Sequence, residues 1–158
     1  MGQIINLLLA TGFGFGFSPV ASGTVGALIG VVIVLVLGFF HLGILWQIII
    51  ALVLVLIGFP ICENAEKYFN QKDDHRIVAD EYLTFPICVI GLPYQEYLWL
   101  LLWAFFFHRL FDVIKPPPAR GIQKLAGGAG VMLDDVFSSL YALACCHAVW
   151  WIYQYLFL

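Results

Sequence analysis

Ten acidic and seven basic side chains are all that this 158-residue chain offers for ionic chemistry, and their spacing is uneven. Asp80-Glu81 is one adjacent acidic pair and Asp134-Asp135 another, while Asp112 stands three residues after Arg109 and three before Lys115. Carboxylates without clustered His or Cys suit a hard cation such as Mg²⁺ or Mn²⁺ rather than zinc. Arg109 offers a forked donor to phosphate oxygens, and Lys115 a point charge. Helix capping accounts for one acid at each pair, since a carboxylate satisfies orphan N–H groups and complements the dipole. It does not account for the second acid of each pair. Nor does it explain Asp112, which precedes a helix end where negative charge is disfavoured. An intrahelical ion-pair ladder is the plain alternative for Arg109, Asp112 and Lys115. Pro116-Pro117-Pro118 ends that helix in either case.

A third element is the run Gly12-Phe-Gly-Phe-Gly-Phe-Ser-Pro-Val-Ala-Ser-Gly-Thr24. Glycine lets a backbone approach phosphate closely, and Ser18, Ser22, Gly23 and Thr24 lie near a helix N-terminus that favours anions. No Gly-Lys-Ser/Thr follows, so this is not a Walker A loop. Gly127-Gly128-Ala129-Gly130 before Asp134 is equally permissive, with loop flexibility as its default reading. No Cys precedes an Arg by six residues, no Asp-x-Asp is present, and the four histidines are scattered. Cysteinyl-phosphate, aspartyl-phosphate and phosphohistidine routes therefore have no motif to rest on.

The elements that must position these groups are apolar. Hydrophobic residues make up 63% of the chain and charged ones 11%, against about 25% charged in soluble domains; mean hydropathy is +0.97. One domain, residues 1–158, is expected, an all-α polytopic membrane bundle of four to five spanning or partly spanning helices. The expected spans are Val25–Phe40, Ile44–Ile61, Tyr82–Pro93, Tyr97–Ile114 and Val136–Leu158, the first two forming an antiparallel hairpin through His41-Leu42-Gly43. Gln3–Phe13 is too short to span and reads as interfacial or re-entrant. Tyr82–Pro93, at about 18 Å of helix, falls short of the ~30 Å hydrocarbon core.

All seven Lys and Arg fall in two regions on one side of that topology: Lys67, Lys72 and Arg76, then Arg109, Lys115, Arg120 and Lys124. The positive-inside rule makes that side cytoplasmic, and all five acids lie at the same boundary. Trp46, Trp99, Trp103, Trp150 and Trp151 fall mostly toward the opposite interface, as an aromatic belt does. Cys62, Cys88, Cys145 and Cys146 sit in or beside apolar segments and read as buried filler rather than disulfides. The start, Met-Gly-Gln, lacks the basic n-region of a signal peptide. A net charge of −3 gives no basic footprint for nucleic acid.

Four stretches together resemble the phosphatidylglycerophosphatase A family. They are Ser18-Pro-Val-Ala-Ser-Gly-Thr24-Val-Gly26, Asp80-Glu81, Arg109-Leu-Phe-Asp112-Val-Ile-Lys115-Pro116 and Gly128-Ala-Gly130-Val-Met-Leu-Asp134-Asp135. The order and spacing agree over nearly the whole chain. Ser22, Ala27 and Thr84 depart from the family pattern, where Pro, Ser and Gly are usual, and none of these removes an acid or base. The resemblance implies Mg²⁺-dependent removal of the terminal phosphate from phosphatidylglycerol phosphate at the cytoplasmic face of the bacterial inner membrane. On that basis Asp80, Glu81, Asp134 and Asp135 are the expected metal ligands. Arg109, Lys115, Ser18, Gly23 and Thr24 are the expected phosphate-binding groups. Asp112, Arg109 and Lys115 form the catalytic set, with Asp112 as ligand, orienter of Arg109 or general base. Direct attack by water and an acyl-phosphate intermediate both stay open. The competing readings are a phosphatase of another phospholipid or phosphate ester, a structural module whose acids only cap helices, and a small ion or proton transporter. The transporter would want acids at several depths, whereas these cluster at one boundary.

Overall fold

The computed structural model describes residues 2–125 and 127–157. It is all-α, with no strand among the described residues. The helices are α1 (Gly2–Ala10), α2 (Ser22–Gly38), α3 (Ile44–Phe69), α4 (Ala79–Thr84), α5 (Trp99–Ile114), α6 (Ala119–Ile122) and α7 (Gly128–Phe157), with 3₁₀ turns at Phe15–Phe17 and Phe85–Val89. Two of them, α3 and α7, are long and apolar enough to cross a membrane. At ~1.5 Å per residue they measure about 39 and 45 Å. With 17 and 16 residues, α2 and α5 are shorter, and Leu158, the end of the expected fifth span, lies outside the described residues. The expected Gln3–Phe13 segment is α1 followed by a turn; α1 docks on α3, where Asn6 Nδ2 donates to Ile61 O at 3.1 Å.

The expected third span is not a span-length helix. Tyr82–Pro93 is the end of α4, a 3₁₀ turn and a further turn, and every residue from Ile77 to Val89 is buried. The segment is packed by α2, α3, α5 and α7. A segment enclosed by protein need not pair its own backbone as one continuous helix. A 3₁₀ turn also rises ~2.0 Å per residue, so few residues cover more length. Pro86 sits at the start of the 3₁₀ turn, where a missing N–H is tolerated.

The same segment splays the expected α2–α3 hairpin. Instead of packing on each other, these helices grip α4 and the 3₁₀ turn between them. Glycine makes the grip possible. A Cβ on Gly30 would overlap the Phe85 ring, and one on Gly58 would crowd Leu83 Cδ1 of α4 at 3.2 Å and Met132 Sδ of α7 at 2.6 Å. Phe85 and Met132 are both fully buried.

Two ends can be told apart. At one end Gly91 N–H donates to Gln47 Oε1 at 2.9 Å, His147 Nε2 lies 2.9 Å from Ile90 O, and Tyr97, Trp99, Trp150 and Tyr153 cluster. At the other, Val78 N–H donates to Ala10 O at 2.9 Å, Ser22 Oγ donates to His75 O at 2.6 Å, and the acids and bases gather. Cys62, Cys88 and Cys146 are buried free thiols and Cys145 is half-buried, as expected of filler.

Packing at Gly30 gives a test of this arrangement. Gly30→Val should cost about 1–3 kcal/mol by overpacking and lower the apparent melting temperature in detergent. Gly43→Ala, where an added Cβ meets nothing within 4 Å, should leave it unchanged.

Candidate active site

At the charged end a cleft of about 440 Å³ opens between the start of α2, the loop before α4, α4 itself and the facing ends of α5 and α7. Asp80 and Glu81 enter it from the first turn of α4, Arg109 and Asp112 from the last turns of α5, Lys115 from the residue capping α5, and Asp135 from α7. Lys115 lies in the left-handed region at φ 48°. Pro116 behind it bars continuation of the helix. Ser18 and Gly23 also line the cleft. Thr24 does not: it sits in the first turn of α2, its N–H donating to Ala21 O at 2.9 Å. Asp134 stands behind the wall and reaches the cleft through Lys115.

The charges are wired. Arg109 Nη1 donates to Glu81 Oε1 at 3.0 Å and to Asp112 Oδ2 at 2.7 Å. Its Nε and Nη2 have no protein partner among the described residues, so the guanidinium keeps donors for a ligand. Lys115 Nζ donates to Asp134 Oδ2. Burial disfavours the Lys115 ammonium, but the hydrogen bond and field of Asp134 outweigh it and hold the pKa above the usual lysine value. Glu81 lies directly against α2, because a Cβ at Gly23 or Gly26 would overlap its carboxylate. That contact, rather than phosphate approach alone, is why glycine is needed at 23. At the same helix start the N–H groups of Ser22 and Gly23 have no hydrogen-bond partner among the described residues, which suits an anion.

Several side chains in this cleft come from what the sequence presents as a polar connection. Asp73, Asp74 and His75 all line it. Asp73 adopts φ 51°, its N–H donates to Glu66 Oε1 at 2.8 Å, and its Oδ2 accepts from Gln123 Nε2 at 2.5 Å. Asp74 is buried and accepts from Arg76 through N–H, Nε and Nη2 at 2.9, 2.8 and 2.6 Å. The Arg76 guanidinium in turn lies 3.9 Å from the Phe69 ring centroid. The available signal was a density of acids just before Asp80 greater than a connecting loop requires.

The family model for phosphatidylglycerophosphatase A matches residues 8–150, a stretch that includes every group just described. The chain belongs to the phosphatidylglycerophosphatase A family. It is therefore a phosphatase. Its relatives include a Haemophilus influenzae protein named "Phosphatidylglycerophosphatase A", 34% identical over 90% of this chain and 86% of that protein. An Escherichia coli protein of the same name is 31% identical over 84% of this chain and 76% of its own length. A Bacteroides thetaiotaomicron protein named "Putative phosphatidylinositol-3-phosphatase" is 33% identical over 95% of this chain and 96% of its own length. No solved structure matches.

The donor chemistry fits a hard divalent cation. Glu81 Oε2 and Asp135 Oδ2 are buried without a hydrogen-bond partner, and a buried unpaired carboxylate oxygen is costly. Among the described residues, however, no three acid, His or Cys side chains already stand within reach of one ion. An ion would have to draw them in.

The Asp74–Arg76 pair carries a pH test. The Arg76 hydrogen bond holds the Asp74 carboxyl below its usual value of 3.8, against an opposing effect of burial. A depressed folded-state pKa gives stability that is present above the unfolded value and lost as pH falls through the folded one. Asp74→Asn should therefore cost about 1–3 kcal/mol at neutral pH. The gap in melting temperature from wild type should close as pH drops below about 4. A gap that does not change with pH would contradict this role for the pair.

Proposed function

We propose that this protein is a Mg²⁺-dependent lipid phosphatase that hydrolyses phosphatidylglycerol phosphate to phosphatidylglycerol and phosphate in the bacterial inner membrane. In this reading α2, α3, the buried Ala79–Val89 segment, α5 and α7 all run through the bilayer, with the cleft facing the cytoplasm. Support for the orientation comes from the charges: all seven Lys and Arg lie at or beside the cleft end, as the positive-inside rule asks of a cytoplasmic face. The carrying observation for the chemistry is Arg109. It is braced by two carboxylates through one nitrogen, and two further donor nitrogens are left for phosphate oxygens.

Asp80 and Asp135, with Glu81 Oε2, are the ligands least engaged by protein cations, and Asp134 joins them once Lys115 turns to substrate. Bound there, Mg²⁺ would neutralise phosphate charge and lower the pKa of a coordinated water. The chain's own part is positioning. Phosphoryl transfer asks mainly for charge neutralisation and in-line alignment. Arg109 and Lys115 clamp equatorial oxygens, and the Ser22 and Gly23 N–H groups serve as further donors; the Ser18 hydroxyl, which donates to Val20 O at 2.9 Å, would join them only by rotating away from it. Thr24, off the cleft wall and with its N–H given to Ala21 O, has no part in this clamp. Asp112 fixes the guanidinium and stands near enough to the cleft to take a proton from the attacking group.

A second substrate is favoured by one observation: the relative matching both chains nearly end to end carries an inositol-lipid name. The two substrates share a phosphate monoester on a lipid headgroup and differ in the bulk of that headgroup.

Phosphate release from each lipid by the purified protein, with Mg²⁺ and with EDTA, separates these readings. Release from phosphatidylglycerol phosphate should require Mg²⁺ and fall about 10²–10³-fold in Lys115→Met, as expected for loss of one charge-stabilising donor. Asp80→Asn should abolish it. A clear preference for phosphatidylinositol 3-phosphate would move the assignment to the second substrate. Full activity in EDTA would sink the metal-dependent reading.

A further inference from the structure

The Gly12–Phe17 run stays outside the cleft, whose lining begins at Ser18. Two of its three glycines, Gly12 and Gly16, are spent on packing, and Gly14 serves the turn with φ 95°. A Cβ on Gly12 would meet Ile29 and Val78 at 2.8 and 2.9 Å, and one on Gly16 would overlap the Arg76 carbonyl. With Gly12 and Gly16 turned inward, the phenylalanines turn outward: Phe13 is 68% exposed, and Phe15 and Phe17 are each 59% exposed. Phe13 also holds φ 59° between left-handed Gly12 and Gly14, a conformation that costs a bulky residue energy. Its N–H donates to Leu8 O at 2.6 Å, closing the end of α1, while its ring stays on the surface. Beside this turn, α1 leaves Ile4, Ile5 and Leu8 exposed.

Soluble surfaces rarely leave so large an apolar patch bare. The neighbouring surface indicates what covers this one. No Asp, Glu, Lys or Arg occurs before Glu63. The elements that carry the patch thus hold no charge of their own, and on α2 and α3 Leu28, Val32, Leu52 and Leu56 are also exposed. At nine residues, about 14 Å, α1 cannot cross a bilayer. A short apolar helix with an aromatic turn suits the headgroup boundary. We propose that Phe13, Phe15 and Phe17, backed by α1, form a wedge that enters the lipid interface at the rim of the cleft. The wedge holds the mouth of the cleft at headgroup depth, so that a phosphorylated headgroup passes into it sideways from the bilayer. This rests on the reading of the chain as a membrane enzyme, and it adds which segment sets the depth of the site.

The test uses the full chain in phosphatidylcholine–phosphatidylglycerol vesicles. One nitroxide is placed at Phe15→Cys and another, as reference, at Leu52→Cys on α3, with the signal of the identically treated parent chain subtracted. Power-saturation EPR then compares relaxation by oxygen, which enters the bilayer, and by a water-soluble nickel chelate. The expected result is oxygen-dominated relaxation at both sites, shallower at Phe15. If Leu52 reads as bilayer and Phe15 as water, the wedge is wrong and the membrane reading survives. If both read as water, the membrane reading fails and the wedge with it. If Phe15 is shielded from both agents, a protein surface covers it, which also overturns the proposal. The triple variant F13S/F15S/F17S gives a functional counterpart. Its kcat/KM should fall about tenfold or more on vesicle-borne substrate and stay unchanged on a short-chain, water-soluble form. An equal loss on both would make the turn merely structural.

Discussion

Carboxylates crowded into one end of an apolar bundle repel one another and lose the water that would screen them. Asp80, Glu81, Asp134 and Asp135 are buried and Asp112 is half-buried, and among the described residues Arg109 and Lys115 are the Lys and Arg side chains that line the cleft beside them. Both cations are already committed in part, one to Glu81 and Asp112 and the other to Asp134. Asp135 Oδ2 and Glu81 Oε2 remain buried and unpartnered. Such an arrangement is poor for stability, because burying charge without full compensation costs several kcal/mol. Under the proposed function it is a site held ready for positive charge that the chain does not itself supply, with phosphate following.

Holding that end together is the task of the enclosed segment from Ile77 to Val89. It carries two of the acids at its start and is gripped by the four longest helices. The grips of α2 and α3 depend on close approaches: Gly23 and Gly26 admit the Glu81 carboxylate, Gly30 admits Phe85, and Gly58 admits Leu83 together with Met132 of α7. The site's geometry is thus set by interior packing rather than by surface loops. The exception is the loop before α4, fastened by Asp74 to Arg76 and by Ser22 to the His75 carbonyl. Function and fold share the same contacts here, so a change at Gly23 alters both.

Much of this is legible in the residues. Unbroken apolar runs bounded by polar clusters locate α2, α3, α5 and α7, since helical runs of that length announce themselves. The pairing of acids with Arg109 and Lys115 locates the cleft, and the one-sidedness of the charges puts all its parts at one end. Tertiary enclosure is what the residues do not disclose. Tyr82–Pro93 carries the same apolar composition whether it faces lipid as a helix or protein as a 3₁₀ turn, and only its neighbours decide. The α2–α3 turn likewise gives no sign that another segment lies between the helices. Asp73 and Asp74 do not stand out because acids in a connecting loop are ordinarily just solvated, and their place in the cleft depends on a left-handed turn at Asp73. Thr24 stands out by its motif, but the helical phase at the start of α2 sends Gly23, and not Thr24, to the wall.

The central claim is that the buried acids await a divalent cation, and cation-dependent stability tests it most directly. Melting temperature would be followed in detergent against Mg²⁺ concentration, with Ca²⁺-free EDTA buffer as zero, for wild type and Asp135→Asn. Ligand that binds only the folded state stabilises it by RT ln(1 + [L]/Kd). The account predicts a saturable rise for wild type. For Asp135→Asn it predicts little or no rise. Melting temperatures that ignore Mg²⁺ across the millimolar range, or that rise equally in both proteins, would contradict it.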